Sequence, residues 1–189
     1  MKNKEKIYNI PNLLSFYRLI TVPVLAYFAY TGNEKLFFYA FLFNMFTDAL
    51  DGFIARNFNM QTELGAKLDS LADSFMYVLA FYAMYHLKWE AFQNYQLSFY
   101  LLIFYYFSID LMALIKFKEI SHFHLVSSKL AGVIQGLFFL LLFSKGFFSY
   151  LYWLMFFLST LAFIENTYFI FKLNKMQSNI KGIFWYKNL

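Results

Sequence analysis

The chain has 189 residues, 61% of them hydrophobic and only 14% charged, whereas a soluble domain carries about 25% charged residues. This composition excludes an ordinary water-soluble enzyme and makes lipid the expected solvent. The absence of cysteine excludes disulfides and thiolate metal sites; the net charge of +5 comes from basic residues dispersed at the ends of apolar runs, so no nucleic-acid partner is expected.

A helix needs about 20 mainly apolar residues to cross a bilayer. Six stretches qualify, at 12–31, 35–56, 65–87, 96–117, 126–144 and 147–171. The first follows a lysine-rich start but has no small-residue cleavage motif after it, and Tyr27 to Tyr30 is bulky, so it is read as retained rather than as a signal peptide. Short polar connections separate the stretches: Thr31 to Glu34, Asn57 to Glu63, Lys88 to Asn94, Lys118 to His124, and Ser144 to Gly146. With no linker or repeat visible, residues 1–189 are read as a single all-α, polytopic membrane domain of six transmembrane helices.

Orientation follows from lysine and arginine, which are retained on the cytoplasmic side. With the N-terminus inside, that side holds twelve basic residues: Lys2, Lys4, Lys6, Arg56, Lys67, Lys116, Lys118, Lys129, Lys172, Lys175, Lys181 and Lys187. The other side holds Lys35, Lys88 and Lys145. Both termini and the 57–64 connection are therefore expected in the cytoplasm.

The second and third stretches carry Asp48 and Asp51, then Asp69 and Asp73, where hydrophobicity predicts none. One aspartate at a helix centre costs about 2.5–3.5 kcal/mol on insertion scales, so four together need neutralising. Residues three or four apart share a helix face. Asp48, Asp51, Gly52, Ala55 and Arg56 form one stripe, and Gly65, Asp69 and Asp73 form another on a helix that returns antiparallel. Asp48 and Asp73 lie roughly 12 Å inside their helix ends, at similar depth. Hard divalent cations bound through oxygen would relieve the repulsion; magnesium or manganese fits, while zinc would prefer nitrogen or sulfur ligands. Gly52 and Ala55 leave room for a ligand or another backbone. Two metal ions beside such a groove suit phosphoryl transfer, with Arg56 at the rim as a phosphate contact. The bland alternative is that the aspartates pair with Arg18, Arg56, Lys67 or Lys129 as membrane glue.

The spacing Asp48, Asp51-Gly52, Ala55-Arg56, Gly65, Asp69, Asp73 resembles the signature of the CDP-alcohol phosphatidyltransferases, with all eight fixed residues present over 26 positions. The resemblance implies that family's fold, a pair of Mg2+ or Mn2+ ions on Asp48, Asp51, Asp69 and Asp73, and Asp73 as general base. It implies that Gly52, Ala55, Arg56 and Gly65 bind the CDP-lipid. The implied reaction is attack of an alcohol hydroxyl on CDP-diacylglycerol with release of CMP. A homodimer in a bacterial inner membrane, with the active site facing the cytoplasm, is expected on the same ground.

Ile10-Pro11-Asn12-Leu13-Leu14-Ser15-Phe16-Tyr17-Arg18 and Ser128-Lys129 with Gln135 resemble the phosphatidylglycerophosphate synthase and cardiolipin synthase branch. That implies glycerol 3-phosphate as the acceptor; phosphatidylglycerol, serine, inositol and inositol phosphate are the alternatives. Gly132 stands where that branch has threonine, Ile109-Asp110 where it has an arginine-acid pair, and Ser70 where proline is common. Arg18 either snorkels to the interface or binds an acceptor phosphate, and Lys129 is a second acceptor-binding candidate. Asp110 either orients a basic pocket residue or packs helices, and Glu165-Asn166 are read as interhelical hydrogen-bonding residues. His122 and His124 are read as interfacial. An ion-coupled transporter, which also needs intramembrane carboxylates, is the competing function, and an idle lipid-binding homologue is a third.

Overall fold

The computed structural model describes residues 9–60, 62–119, 123, 125–177 and 180–186. Lys2, Lys4, Lys6, His122, His124 and Lys187 lie outside the described residues. Six long helices carry the fold: α1 (Ile10–Tyr30), α2 (Glu34–Asn57), α3 (Glu63–Leu87), α5 (Gln96–Phe117), α6 (Val126–Ser144) and α7 (Ser149–Lys172), with a single turn, α4 (Trp89–Phe92), before α5. No strand occurs among the described residues. The chain divides into two compact units, residues 1–89 and 90–189.

Among the described residues, four segments are long and apolar enough to cross a membrane: Ile10–Tyr30, Trp89–Phe117, Val126–Ser144 and Ser149–Lys172. The helices α2 and α3 have 24 and 25 residues, and at about 1.5 Å per residue either exceeds the roughly 30 Å hydrocarbon thickness. What separates them from the other four is polarity. They carry the aspartates.

In the first unit α1 packs along both α2 and α3. Its buried side chains, Pro11, Asn12, Ser15, Arg18, Leu25 and Ala29, recur at helical spacing, and the first four include three polar residues. Side-chain bonds give the directions. Ser15 meets Asp51 and Thr21 meets Asn44 (2.8 Å), so α2 runs antiparallel to α1, whereas Asn12 meets Thr62 and Arg18 meets Asp69 and Asp73, so α3 runs parallel to it. At the far end, Lys88 and Glu34 pair at 2.5 Å.

The turn between α2 and α3 is set by local chemistry. The Met60 amide bonds to the Ala55 carbonyl at 3.0 Å while Asn59 takes φ 52. This is the six-to-one closure of a Schellman motif, with asparagine at the left-handed position it tolerates. Thr62 then caps α3 by accepting the Gly65 amide at 2.9 Å. The start of α1 is tied to the same turn: Asn9 accepts the Asn12 amide and donates to the Met60 carbonyl at 3.0 Å, and Thr62 donates to Asn12 Oδ1 at 3.1 Å.

The second unit packs α6 and α5 against α7. One end holds an aromatic cluster of Phe92, Phe99, Phe138, Phe147 and Tyr152, and the Tyr152 hydroxyl shares a 2.7 Å hydrogen bond with Ser98. The other end buries Ala113, Phe123, Leu125, Phe169, Ile170, Leu173 and Ile180. Polar pairs cross α6 and α7 between these clusters: Gln135 donates to Ser159 at 2.9 Å, Asn166 to Ser128 at 2.8 Å, and Ser127 to Glu165.

Candidate active site

All four motif aspartates of α2 and α3 converge on one side chain of α1. Arg18 is 1% exposed and does not snorkel. Its Nη1 lies 2.6 Å from Asp48 Oδ1 and 2.9 Å from Asp73 Oδ1; its Nη2 lies 3.1 Å from Asp51 Oδ2 and also donates to Asp69. Ser15, one turn earlier on the same helix face, donates to Asp51 Oδ2 at 3.2 Å. Of the three first-unit basic residues weighed from the sequence as partners of the aspartates, Arg18, Arg56 and Lys67, the structure pairs Arg18 with them.

One guanidinium faces four carboxylates here, so full ionisation of the cluster would call for further positive charge. The side chains of Asp48, Asp69 and Asp73 are 43–48% exposed, whereas that of Asp51 is 6% exposed. One carboxylate is thus held inside and three stay open to an approaching cation. Carboxylate oxygens of Asp48, Asp51 and Asp69 lie within 4.8 Å of one another. That grouping is one that could hold a metal ion. The donor set is all oxygen, which suits a hard divalent cation.

The small residues of the motif do two different jobs. A Cβ on Gly52 would stand 3.2 Å from the Arg56 guanidinium, which folds back over the preceding turn and is otherwise exposed. A Cβ on Gly65 would stand 2.3 Å from Asn12 Oδ1 and 2.9 Å from Thr62 Oγ1. The space at Gly65 is therefore filled by Asn12 of α1. Sequence reasoning expected close approach at Gly52 and Ala55 and gave Gly65 to the CDP-lipid, without seeing that Asn12 lies against it. It also missed Ser15 and Asn12, although successive steps of three, from Asn12 to Ser15 to Arg18, mark one helix face. Ala55 is half-buried on α2, and Lys129 is exposed in the first turn of α6, in the second unit.

The model of the CDP-alcohol phosphatidyltransferase family matches residues 8–164, which include α1, the Arg18 cluster and most of α7. The chain belongs to that family. CDP-alcohol phosphatidyltransferases are membrane proteins, in keeping with the four apolar helices, and this member is a multi-pass membrane protein. Among curated relatives, CDP-diacylglycerol--glycerol-3-phosphate 3-phosphatidyltransferase of Aquifex aeolicus is 46% identical over 65 residues, 34% of this chain and 36% of that protein. The human cardiolipin synthase (CMP-forming) is 42% identical over 84 residues, 42% of this chain and 28% of that protein. The cardiolipin synthase (CMP-forming) / mitochondrial hydrolase fusion protein of Schizosaccharomyces pombe is 43% identical over 70 residues, 37% of this chain and 12% of that protein. These matches span about an eighth to a little over a third of the relatives' own lengths. No solved structure matches the chain.

Proposed function

We propose that this chain transfers a phosphatidyl group from CDP-diacylglycerol to glycerol 3-phosphate, releasing CMP. The observation that carries the reading is the convergence of Asp48, Asp51, Asp69 and Asp73 on one guanidinium, with three of them half-open. The family membership supplies the chemical class, and the relatives named for a glycerol-3-phosphate acceptor supply the acceptor.

In this reading the four aspartates hold two divalent ions, Mg2+ or Mn2+. Bound there, the ions would neutralise the pyrophosphate of the CDP-lipid and stabilise the departing phosphate. Arg56, Gly52, Ala55 and Gly65 border the nucleotide. Asp73 accepts the proton of the acceptor hydroxyl as that oxygen forms its bond to the β-phosphorus. The bond from that phosphorus to the bridging oxygen breaks, and CMP leaves with the electron pair. Arg18 meets the acceptor phosphate. The Nε of Arg18 is buried with no hydrogen-bond partner, so an anion that brings an oxygen there would relieve an unsatisfied donor.

The remaining assignments belong to the same proposal. All six long helices span the membrane as one domain, since α2 and α3 can hide their aspartates against α1. The excess of basic residues on the 57–64 side supports a site facing the cytoplasm; in the same proposal the membrane is a bacterial inner membrane, and two copies associate as a homodimer.

The test is the purified chain with manganese and CDP-diacylglycerol, given glycerol 3-phosphate, phosphatidylglycerol, serine, inositol or inositol phosphate in turn. Lipid products are read by mass spectrometry and CMP by chromatography. Phosphatidylglycerophosphate and CMP in equal amounts are expected with glycerol 3-phosphate. Product with a different acceptor alone would overturn the acceptor. No CMP with any acceptor, together with ion flux in vesicles, would replace the transferase by a transporter.

A further inference from the structure

The segment after α7 does not trail away from the helices. Leu173 and Ile180 are buried in the core of the second unit. The Lys181 carbonyl accepts the Val126 amide at 2.9 Å, and the Ile183 amide donates to Glu165 Oε1 at 2.7 Å. The other oxygen of Glu165 accepts from Ser127 in the first turn of α6. Gly182 sits at φ +150, and a Cβ there would stand 2.8 Å from Glu165 Oε1, so glycine is the residue that lets the chain close onto that carboxylate. The Tyr186 ring lies 5.3 Å from Phe169 and 4.6 Å from the Lys172 ammonium. A carboxylate inside an apolar helix is costly; this one is spent on holding a strap.

What the strap presents is unexpected. Its single turn, Ile183–Trp185, exposes Ile183 by 44%, Phe184 by 94% and Trp185 by 60%. Three adjacent apolar side chains pinned outward have no use in water. Lys172, Lys175 and Lys181 beside them are exposed, and residues 166–189 contain no acidic residue. The turn is tied to the first turn of α6, where a membrane-crossing segment begins at Val126. It therefore stands at the level of the bilayer boundary, where tryptophan is favoured and lysines meet lipid phosphates.

We propose that Ile183, Phe184 and Trp185 form a membrane-surface foot, inserted among the headgroups of anionic lipids and held rigid by Glu165. The occupant follows from charge and from position: a basic, acid-free segment with an apolar tip, at the mouth of a membrane span, matches an anionic bilayer surface. The foot depends on α7 crossing a membrane and is independent of the transfer reaction.

The experiment uses the full chain with Trp89→Phe and Trp153→Phe, which leaves Trp185 as the sole tryptophan. It is reconstituted in phosphatidylcholine vesicles with or without phosphatidylglycerol. Trp185 emission is expected to be blue-shifted, several-fold less quenched by aqueous iodide than free tryptophanamide, and strongly quenched by a headgroup-proximal nitroxide lipid. Phosphatidylglycerol should deepen the shielding, and Lys175→Gln with Lys181→Gln should remove that increment. Full iodide access would overturn the foot. Shielding from iodide without nitroxide quenching would overturn it in favour of a protein partner or second copy, and indifference to phosphatidylglycerol would overturn the anionic-lipid assignment. Since the chain has no cysteine, Phe184→Cys carrying a spin label gives an independent depth reading by oxygen and nickel accessibility should the tryptophan variant fail to fold.

Discussion

Replacing Arg18 by methionine removes the one positive charge from a four-carboxylate cluster while keeping much of its apolar stem. Asp51 suffers most: its side chain is 6% exposed and would keep only the 3.2 Å bond from Ser15. Stripping the partner from a buried charge costs about 3–5 kcal/mol. The other three carboxylates are nearly half exposed, so water takes over much of the guanidinium's role for them. A loss of about 3 kcal/mol is therefore expected in EDTA, or about 6–12 °C in the melting midpoint of a chain of this size. Manganese should narrow the gap, because an ion on the same oxygens supplies the missing charge and meets no guanidinium to repel it. The assay is thermal unfolding of wild type and variant across a manganese titration, with the manganese midpoint of the variant expected at lower concentration. Equal stability in EDTA would refute Arg18 as the cluster's counter-charge. A gap that stayed constant across the titration would refute the idea that guanidinium and metal share oxygens.

Gly65→Ala should cost about 1–3 kcal/mol by overpacking, read as a lower melting midpoint, and Asn12→Ala in the same chain should recover part of the loss; no recovery would mean that the glycine is not there to admit Asn12. Asp73→Asn should retain binding of the CDP-lipid, measured by equilibrium binding with manganese present, while turnover falls by at least about 100-fold, the lower end of what a general base contributes; unchanged turnover would remove Asp73 from that role.

Much of this architecture could be read from apolar runs alone. The expected segments 35–56, 96–117 and 126–144 match α2, α5 and α6 to within one residue at each end, because each is bounded by polar turn residues. The start of α1 was placed two residues late, since it is set by Asn9 acting as a cap and by Pro11 in the first turn. The acidic spacing showed which faces of α2 and α3 carry the chemistry. It could not show that α1 supplies the centre of the cluster, because a lone arginine near a helix end fits an interfacial position equally well. Only the placement of Asn12, Ser15 and Arg18 on one buried face separates the two, and that face is recognisable once its partners are known. The strap after α7 was illegible for a different reason: it has no periodicity, and its position depends on Glu165 and Ile183, 18 residues apart, meeting across a chain reversal.

The clamp formed by Asn9, Asn12 and Thr62 fixes the rotational phase of α1 six residues before Arg18. Each residue added to a helix turns everything downstream by about 100°. One amino acid inserted between Asn12 and Arg18 would swing the guanidinium away from all its carboxylates while leaving the hydrophobicity of the segment intact. Spacing from clamp to arginine is thus under tighter geometric control than the apolar residues around it, and length variation in this region should be tolerated before Asn9 or beyond the far end of α1, not between them.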